Sequence, residues 1–511
     1  YEDNYGDIYL ATIGKGLLKY NQPAEEFIPI LYKGKQNLPI KSICQISQNE
    51  LCLGTDGKGT KIFNIPKQLI TDYPFDNNYL DSGTSKVHSV LKDNAGNLWI
   101  AIYQKGVMMI PAQPNSFKYI GYKSINKNII GSNCITSLCR DHEGILWIGT
   151  DNDGIYGITT ELKQKVHYAP HDSPSSVPST VFGLYEDSEH NLWFGSYTNG
   201  LGRLDKKTGQ CSYLQNLTDK NGNRIQRVYD LVEDQDKRLW IATMGAGLFY
   251  YDLKTGQSVY DPKFNAATKK YKWISCLLYA GDNHLYVGTY DGIRCIDLST
   301  DDFKTEEILS RHIIHSLYED PQGNIWIGNS EGLAEWNPQT QQLKTYTTAH
   351  GLSSNAVYAI KGDGQDNLWI STNAGMSRFN LNTHTFSNFY ADDGLQGNEF
   401  SKNASFADHN GILWFGGTNG ITYFNPQEIT NPAKKWNVRI IDFYLHDQPI
   451  RKGMLSGGKE IINTSVFEAR DFHLSHNDNA FSIEFSTREL NNSERITYLY
   501  TINTVSYTHL R

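Results

Sequence analysis

The chain has 511 residues, 47 Lys and Arg against 55 Asp and Glu, and a formal charge of −8. A mildly acidic surface without a basic stripe or an aromatic-plus-basic cluster repels phosphates, so nucleic-acid binding is not expected. No apolar run approaches the length needed to span a bilayer, and the length prior allows about two to four domains.

In chain order, a repeat with a period of roughly 40 to 48 residues is anchored at Trp99, Trp147, Trp193, Trp240, Tyr286, Trp326, Trp369 and Trp414, with two degenerate copies centred on Tyr9 and Cys52 before them. Six residues before the anchor stands Asp93, Asp141, Asp187, Asp234, Asp320, Asp363 or Asp408; only the Tyr286 copy departs, with Ala280. Each unit reads as an alternating apolar strand such as "VFGLY", an acidic turn, a second strand such as "LWIGT", a glycine turn, a third strand such as "GLGRLD", and a "KTG" turn into a fourth. Four short antiparallel strands without a helical period predict a propeller blade. The anchor ring is expected to fill the wedge between neighbouring blades.

Proline interrupts the fourth-strand turn twice, in "VMMIPAQPNSF" after Trp99 and in "ITYFNPQEITNP" after Trp414. Between these breaks lie the anchors Trp147 to Trp414, enough for a complete seven-bladed ring over 116–430, with "SFKYIGY" from Ser116 supplying the closing strand. By the same logic 1–115 are the last three blades of an earlier ring, and the chain looks like a fragment. After Pro432 the repeat ends; 436–505 alternate in a manner that suggests a small β-sandwich, and 506–511 fit no strand pattern. The expected class is all-β throughout. Seven cysteines occur without any C-x-x-C; Cys134, Cys139, Cys211, Cys276 and Cys295 are expected on strands as small apolar residues, not as ligands or disulfides.

The blade motif followed by "FSIEFSTRELNNSERITYLYTI" resembles the two-component regulator propeller repeats and the triple-tyrosine (YYY) Ig-like domain of periplasmic sensors in hybrid two-component systems of Bacteroides-type bacteria. The resemblance implies a periplasmic region of an inner-membrane protein, working as a homodimer. Its membrane helix, histidine kinase and phosphorelay modules lie outside this chain. It also implies an oligosaccharide ligand released from a glycan, control of polysaccharide-utilisation genes, and no cofactor or metal.

Loop variation on a rigid scaffold is where specificity is expected. The turn between strands two and three and the loop entering the next blade share one face, and a sugar needs an aromatic platform edged by fixed polar groups. Trp273, Tyr290 and Tyr197 are the candidate platform; Arg227, Asp151, Asn152 and Asn199 are the candidate polar edge. Each has a plainer reading: Arg227 pairing with a neighbouring carboxylate, Tyr197 and Tyr290 capping blade tops, Asp151 with Asp153 as an ordinary turn without the full calcium-loop spacing. A lyase or glycosidase would instead need two carboxylates converging, drawn from residues such as Asp151, Glu331 and Glu399, and a protein-interaction scaffold would need a broad flat patch.

Overall fold

In the computed structural model, the aspartate six residues before the anchor has a double task in five of the copies. Asp141 Oδ2 accepts the indole N–H of Trp147 at 2.8 Å while Oδ1 accepts the backbone N–H of Ile145 at 2.9 Å. The same pairing joins Asp93 to Trp99, Asp187 to Trp193, Asp234 to Trp240 and Asp320 to Trp326. One carboxylate therefore closes the turn and satisfies the buried N–H of the ring on the next strand. Tyr286 has no indole N–H to satisfy, and its unit has Ala280 where the others have aspartate.

The structure describes all residues except 74–82, 95, 111, 113–115, 122–128, 132, 133, 220, 261–271, 300–302, 430–437, 479, 488–497, 503, 504, 510 and 511. The described residues are all-β apart from short 3-10 turns, and they divide into two units, Tyr1–Ile429 and Thr430–Arg511.

Within the first unit, seven four-stranded antiparallel sheets follow one another from Ile135 to Phe424. Their innermost strands are Ile135–Arg140, Val181–Glu186, Val228–Glu233, Ile274–Tyr279, Ile314–Glu319, Val357–Gly362 and Phe400–Ala407, here the first to seventh blades. Each innermost strand neighbours the next, and the seventh neighbours the first, so the sheets close into a ring. The seventh blade takes its outermost strand from the start of the ring: Lys118–Ile120 pairs antiparallel with Gly420–Phe424, Lys118 opposite Tyr423 and Ile120 opposite Ile421. The anchors pack between blades. Trp240 of the third blade sits with Ile274 and Leu285 of the fourth, Trp326 of the fifth with Val357 and Leu368 of the sixth, and Trp414 of the seventh with Ile135 and Leu138 of the first. Truncating such a ring to Ala costs about 3–5 kcal/mol, so these contacts are the principal cement of the ring.

Ahead of the ring stand three more sheets: three strands over Tyr9–Ile30, four over Ile40–Asp72, and three over Val87–Ile110. The first begins directly with the anchor strand Tyr9–Thr12, and Ile8, Leu10, Ile13 and Phe27 are exposed on or beside it.

In the second unit Arg439–Leu445 pairs with Phe481–Ser486 and with Gln448–Pro449 around a core of Phe443, Ile450, Ile461, Ile462 and Val466. The tail expected to fit no strand does form one: Val505–His509 pairs antiparallel with Tyr498–Ile502. Its alternation of Val505, Tyr507 and His509 with Ser506 and Thr508 is a short strand pattern. Residues 488–497 of the triple-tyrosine motif segment, which runs from 481 to 502, lie outside the described residues. The cysteines are free; Cys211, Cys276 and Cys295 are buried on strands, whereas Cys134 precedes the strand on which it was expected.

Candidate functional site

On one face of the ring the turn between strands two and three of the first, second and third blades binds the chain entering the next blade. Asn152 N–H donates to Ser179 O at 2.9 Å, Gly200 N–H to Gln226 O at 2.7 Å, and Gly245 N–H to Lys272 O at 2.8 Å. This stitching fixes where the candidate side chains sit. Asn152 holds a left-handed backbone, φ 92°, in its turn.

Trp273, entering the fourth blade, bridges Met244 of the third; it is 43% exposed, enough of an indole face to stack on a ligand. Its ring meets Tyr290 edge-on at 5.9 Å, and the Trp273 carbonyl accepts the Tyr290 N–H at 3.0 Å. Tyr290 and Tyr229 interact and line the same cavity, and Tyr229 stacks on Phe182 at 4.3 Å. Phe182 meets Tyr197 edge-on at 6.2 Å, and the Arg227 guanidinium lies over Tyr197 at 4.9 Å. Three of the predicted platform residues and Arg227 thus belong to one continuous aromatic run across the second, third and fourth blades. Burial pushes the Tyr229 phenol up to about 12 and raises Tyr290, so both hydroxyls are neutral.

Phe182 and Tyr229, which complete the run, were not among the sequence candidates. Both occupy the second position of an innermost strand, after the buried valine of "VFG" and "VYD". Of the predicted polar residues, one is engaged through its side chain and one through its backbone. Asp151 accepts from Thr180 Oγ1 at 2.8 Å, and the Asn199 carbonyl accepts from Arg224 at 3.0 Å. The loop 261–271, expected to help form this face, lies outside the described residues.

Behind the aromatic run a cavity of about 450 Å³ occupies the ring channel, within the range of small-molecule sites. Tyr229, Tyr290 and Phe182 line it, as do Asp230, His315, Lys361, Lys402 and Asn403. Asp230 breaks the repeat. At its register position other blades carry Ser137, Cys276, Ser316 and Ala359, each opposite the small residue of the anchor strand. The Asp230 carboxylate accepts from the backbone N–H of Leu231 and Leu277, both at 2.9 Å, and from Asn403 Nδ2 at 3.0 Å. Burial nevertheless lifts its carboxyl to about 6 and drops the His315 imidazole to about 3, so that His315 is neutral at physiological pH.

Asn403 reaches Asp230 because the seventh innermost strand bulges. Phe400 pairs with Gly417 and Ser405 with Phe415, whereas in the sixth blade Val357 pairs with Thr372 and Ile360 already with Ile370. The two additional residues put Lys402 and Asn403 on the channel wall, with Asn403 in a left-handed conformation, φ 55°.

Of the carboxylates a hydrolase would need, Asp151 is engaged by Thr180 and Glu331 lies 3.2 Å from His312; neither they nor Glu399 line the cavity. On the wall of the second blade, Glu186 accepts from the backbone N–H of His142 at 2.7 Å and from Lys206 at 2.5 Å. His142, Glu186 and His190 have ligand atoms within 4.8 Å of one another, but a cation there would have to displace the Lys206 ammonium.

The two-component regulator propeller family matches residues 129–152, 175–198, 224–245, 308–331 and 351–374. Over 473 residues the chain is 24% identical to histidine kinase P4 of Formosa agariphila, covering 90% of this chain and 27% of that protein. Among solved structures, the extracellular domain of a putative hybrid two component system from B. thetaiotaomicron superposes with a TM-score of 0.78 at 23% identity, covering 100% of this chain and 66% of that one. A second extracellular domain from that organism, of a putative one component system, gives 0.52 at 18% identity, covering 100% of this chain and 74% of that one. The chain therefore spans about a quarter of the curated relative's length, and the solved structures share its fold.

Proposed function

From a chain that carries two-component regulator propeller repeats, we propose that these residues are the ligand-sensing region of a hybrid two-component sensor, lying outside the inner membrane in the periplasm. The ligand is an oligosaccharide released from a glycan, and the output is control of polysaccharide-utilisation genes through a histidine kinase elsewhere in the parent protein. The three sheets ahead of the ring belong to a second propeller, and the C-terminal unit is the Ig-like coupling domain.

The observation that carries this reading is the run from Trp273 through Tyr290, Tyr229 and Phe182 to Tyr197, with Arg227 at its end, opening on a cavity walled by polar groups. Sugars offer apolar ring faces edged by hydroxyls, and stacked aromatics beside fixed donors and acceptors match both. Signalling follows by population shift. A ligand at micromolar affinity supplies about 8 kcal/mol, but only its preference for one arrangement of propellers, and of two chains in a homodimer, moves the membrane helices.

The test is calorimetric titration of the chain with plant and host oligosaccharides, with Trp273→Ala and Tyr229→Ala in parallel. Saturable binding without breakdown, weakened at least ten-fold by either substitution, is expected. Turnover of a panel member would replace this reading with an enzyme, and silence across the panel would replace it with a scaffold.

A further inference from the structure

Six of the seven blades place an uncharged residue opposite the anchor on the innermost strand: Cys139 faces Trp147, Tyr185 faces Trp193, Val232 faces Trp240, Leu278 faces Tyr286, Tyr318 faces Trp326 and Phe406 faces Trp414. In the sixth blade that place belongs to Lys361, opposite Trp369. Packing alone favours an apolar side chain there, as the other copies show, so the ammonium is a departure from what the fold requires. It lines the channel cavity, where burial lowers its pKa against the opposing attraction of the Asp230 carboxylate, and among the described residues it makes no hydrogen bond and no ion pair within 4 Å.

Two further groups, from the blades on either side, line the same wall. His315 comes from the fifth blade, is 5% exposed, and has no hydrogen-bond partner for its ring among the described residues. Lys402 comes from the bulge of the seventh, its ammonium over the Tyr358 ring at 5.7 Å. The cavity's remaining charges are already engaged. Asp230 accepts three hydrogen bonds, Arg140 lies 3.7 Å from Asp408, and Glu186 is held by Lys206. The channel therefore has an aromatic side on the second to fourth blades and, on the fifth to seventh, a side carrying two ammonium groups beside the neutral His315 imidazole, inside a chain of net charge −8.

We infer that the cavity selects an oligosaccharide bearing a carboxylate or sulfate, with the anionic group against Lys361, Lys402 and His315 and the sugar ring against the Tyr229 and Tyr290 side. This rests on the oligosaccharide-sensing reading and names its ligand class. An ammonium set in a low-dielectric wall, attracted by a carboxylate that is hydrogen-bonded to three other groups, is left without a contacting partner; an anion that contacts it relieves that cost, so the anion binds where a neutral sugar of the same shape gains little.

The test titrates the chain with oligogalacturonates, their methyl esters, sulfated galacto-oligosaccharides, and neutral xylo- and gluco-oligosaccharides, at low and high salt. The uronate arm and the sulfate arm tell the two anions apart. An acidic member is expected to bind, its methyl ester or neutral counterpart at least ten-fold more weakly. Lys361→Met restores the apolar choice of the other blades and so keeps the fold; it should weaken the acidic ligand at least ten-fold and flatten its salt dependence, with Lys402→Gln acting in the same direction. Neutral oligosaccharides binding as tightly as acidic ones, or acidic binding untouched by Lys361→Met, would overturn the inference and leave the sensing reading standing. Silence from every sugar would remove both.

Discussion

Asn403 of the seventh blade donates its side-chain N–H to Asp230 of the third at 3.0 Å, a hydrogen bond between residues on opposite sides of the ring. It ties two walls of the channel at the depth where the charged groups gather. Asn403→Gly keeps the left-handed backbone without strain while removing the strut. The expected loss is about 1–3 kcal/mol of stability by urea denaturation, as for a hydrogen bond to a charged group. An unchanged midpoint would mean that the strut adds nothing beyond the Leu231 and Leu277 amides.

The same carboxyl group makes stability depend on pH. Its pKa rises from 3.8 to about 6 on folding, so the native state holds the proton more tightly than the unfolded chain. The resulting destabilisation is absent below about pH 4, grows through pH 4–6 and is complete above 6, reaching at most about 3 kcal/mol, a bound that the attraction of nearby Lys361 is already included in. His315, lowered from 6.5 to about 3, acts with the opposite sign: its contribution is present above pH 6.5 and lost as the pH falls. Asp230→Asn leaves the imidazole in place, so the stability of the variant relative to the native chain should climb from pH 4 to pH 7. A flat difference across that range would contradict the burial of Asp230.

Replacing anchors separates packing from hydrogen bonding. Trp240 and Trp369 are both fully buried, but Trp240 Nε1 donates to Asp234 at 2.7 Å while Trp369 Nε1 has no partner. Trp240→Phe deprives the buried Asp234 of a donor and should cost about 1–3 kcal/mol more than Trp369→Phe, which removes an unsatisfied group. Equal losses in paired denaturation curves would show that the indole bond is incidental.

At the seam of the ring, Gly420 has φ +120°, and a Cβ there would lie 2.3 Å from the Ile120 carbonyl oxygen. Gly420→Ala should therefore loosen the Lys118–Ile120 strand, lower stability by about 2–4 kcal/mol and open residues 116–120 to proteolysis. Protection of that segment equal to the native chain's would show that the seam adapts.

The repeat was legible because its spacing is chemical: an aspartate six residues before an indole can close a turn and reach Nε1 at once, as it does in five copies, and only the tyrosine copy has no aspartate there. Proline breaks marked the strand that crosses the seam. The platform was partly legible, since Trp273 and Tyr290 lie in turns whose face follows from blade topology. Phe182 and Tyr229 were passed over because period-two alternation says that a side chain faces away from the core, not that the other side is a channel. Asp230 and Lys361 were missed for a related reason. Attention to what the copies share hides the positions where one copy differs, and here the departures carry the charge. The Asn199 backbone carbonyl also meets Arg224, a contact that depends on the loop that follows and so could not be read from blade topology.

The seam also sets an order in time. Tyr119 Oη donates to the Asn419 carbonyl across a sequence separation of 300, so the strand made first must wait for nearly the whole ring to be synthesised before it has a partner. Contacts of such long sequence separation form late, because the entropy of closing the loop must be overcome before any of them stabilises the chain. The blades can assemble one upon another as they emerge, while the lock that makes them a circle is set last. Once set, it must open before any blade can peel away, so a few residues at one seam govern how long the whole ring survives.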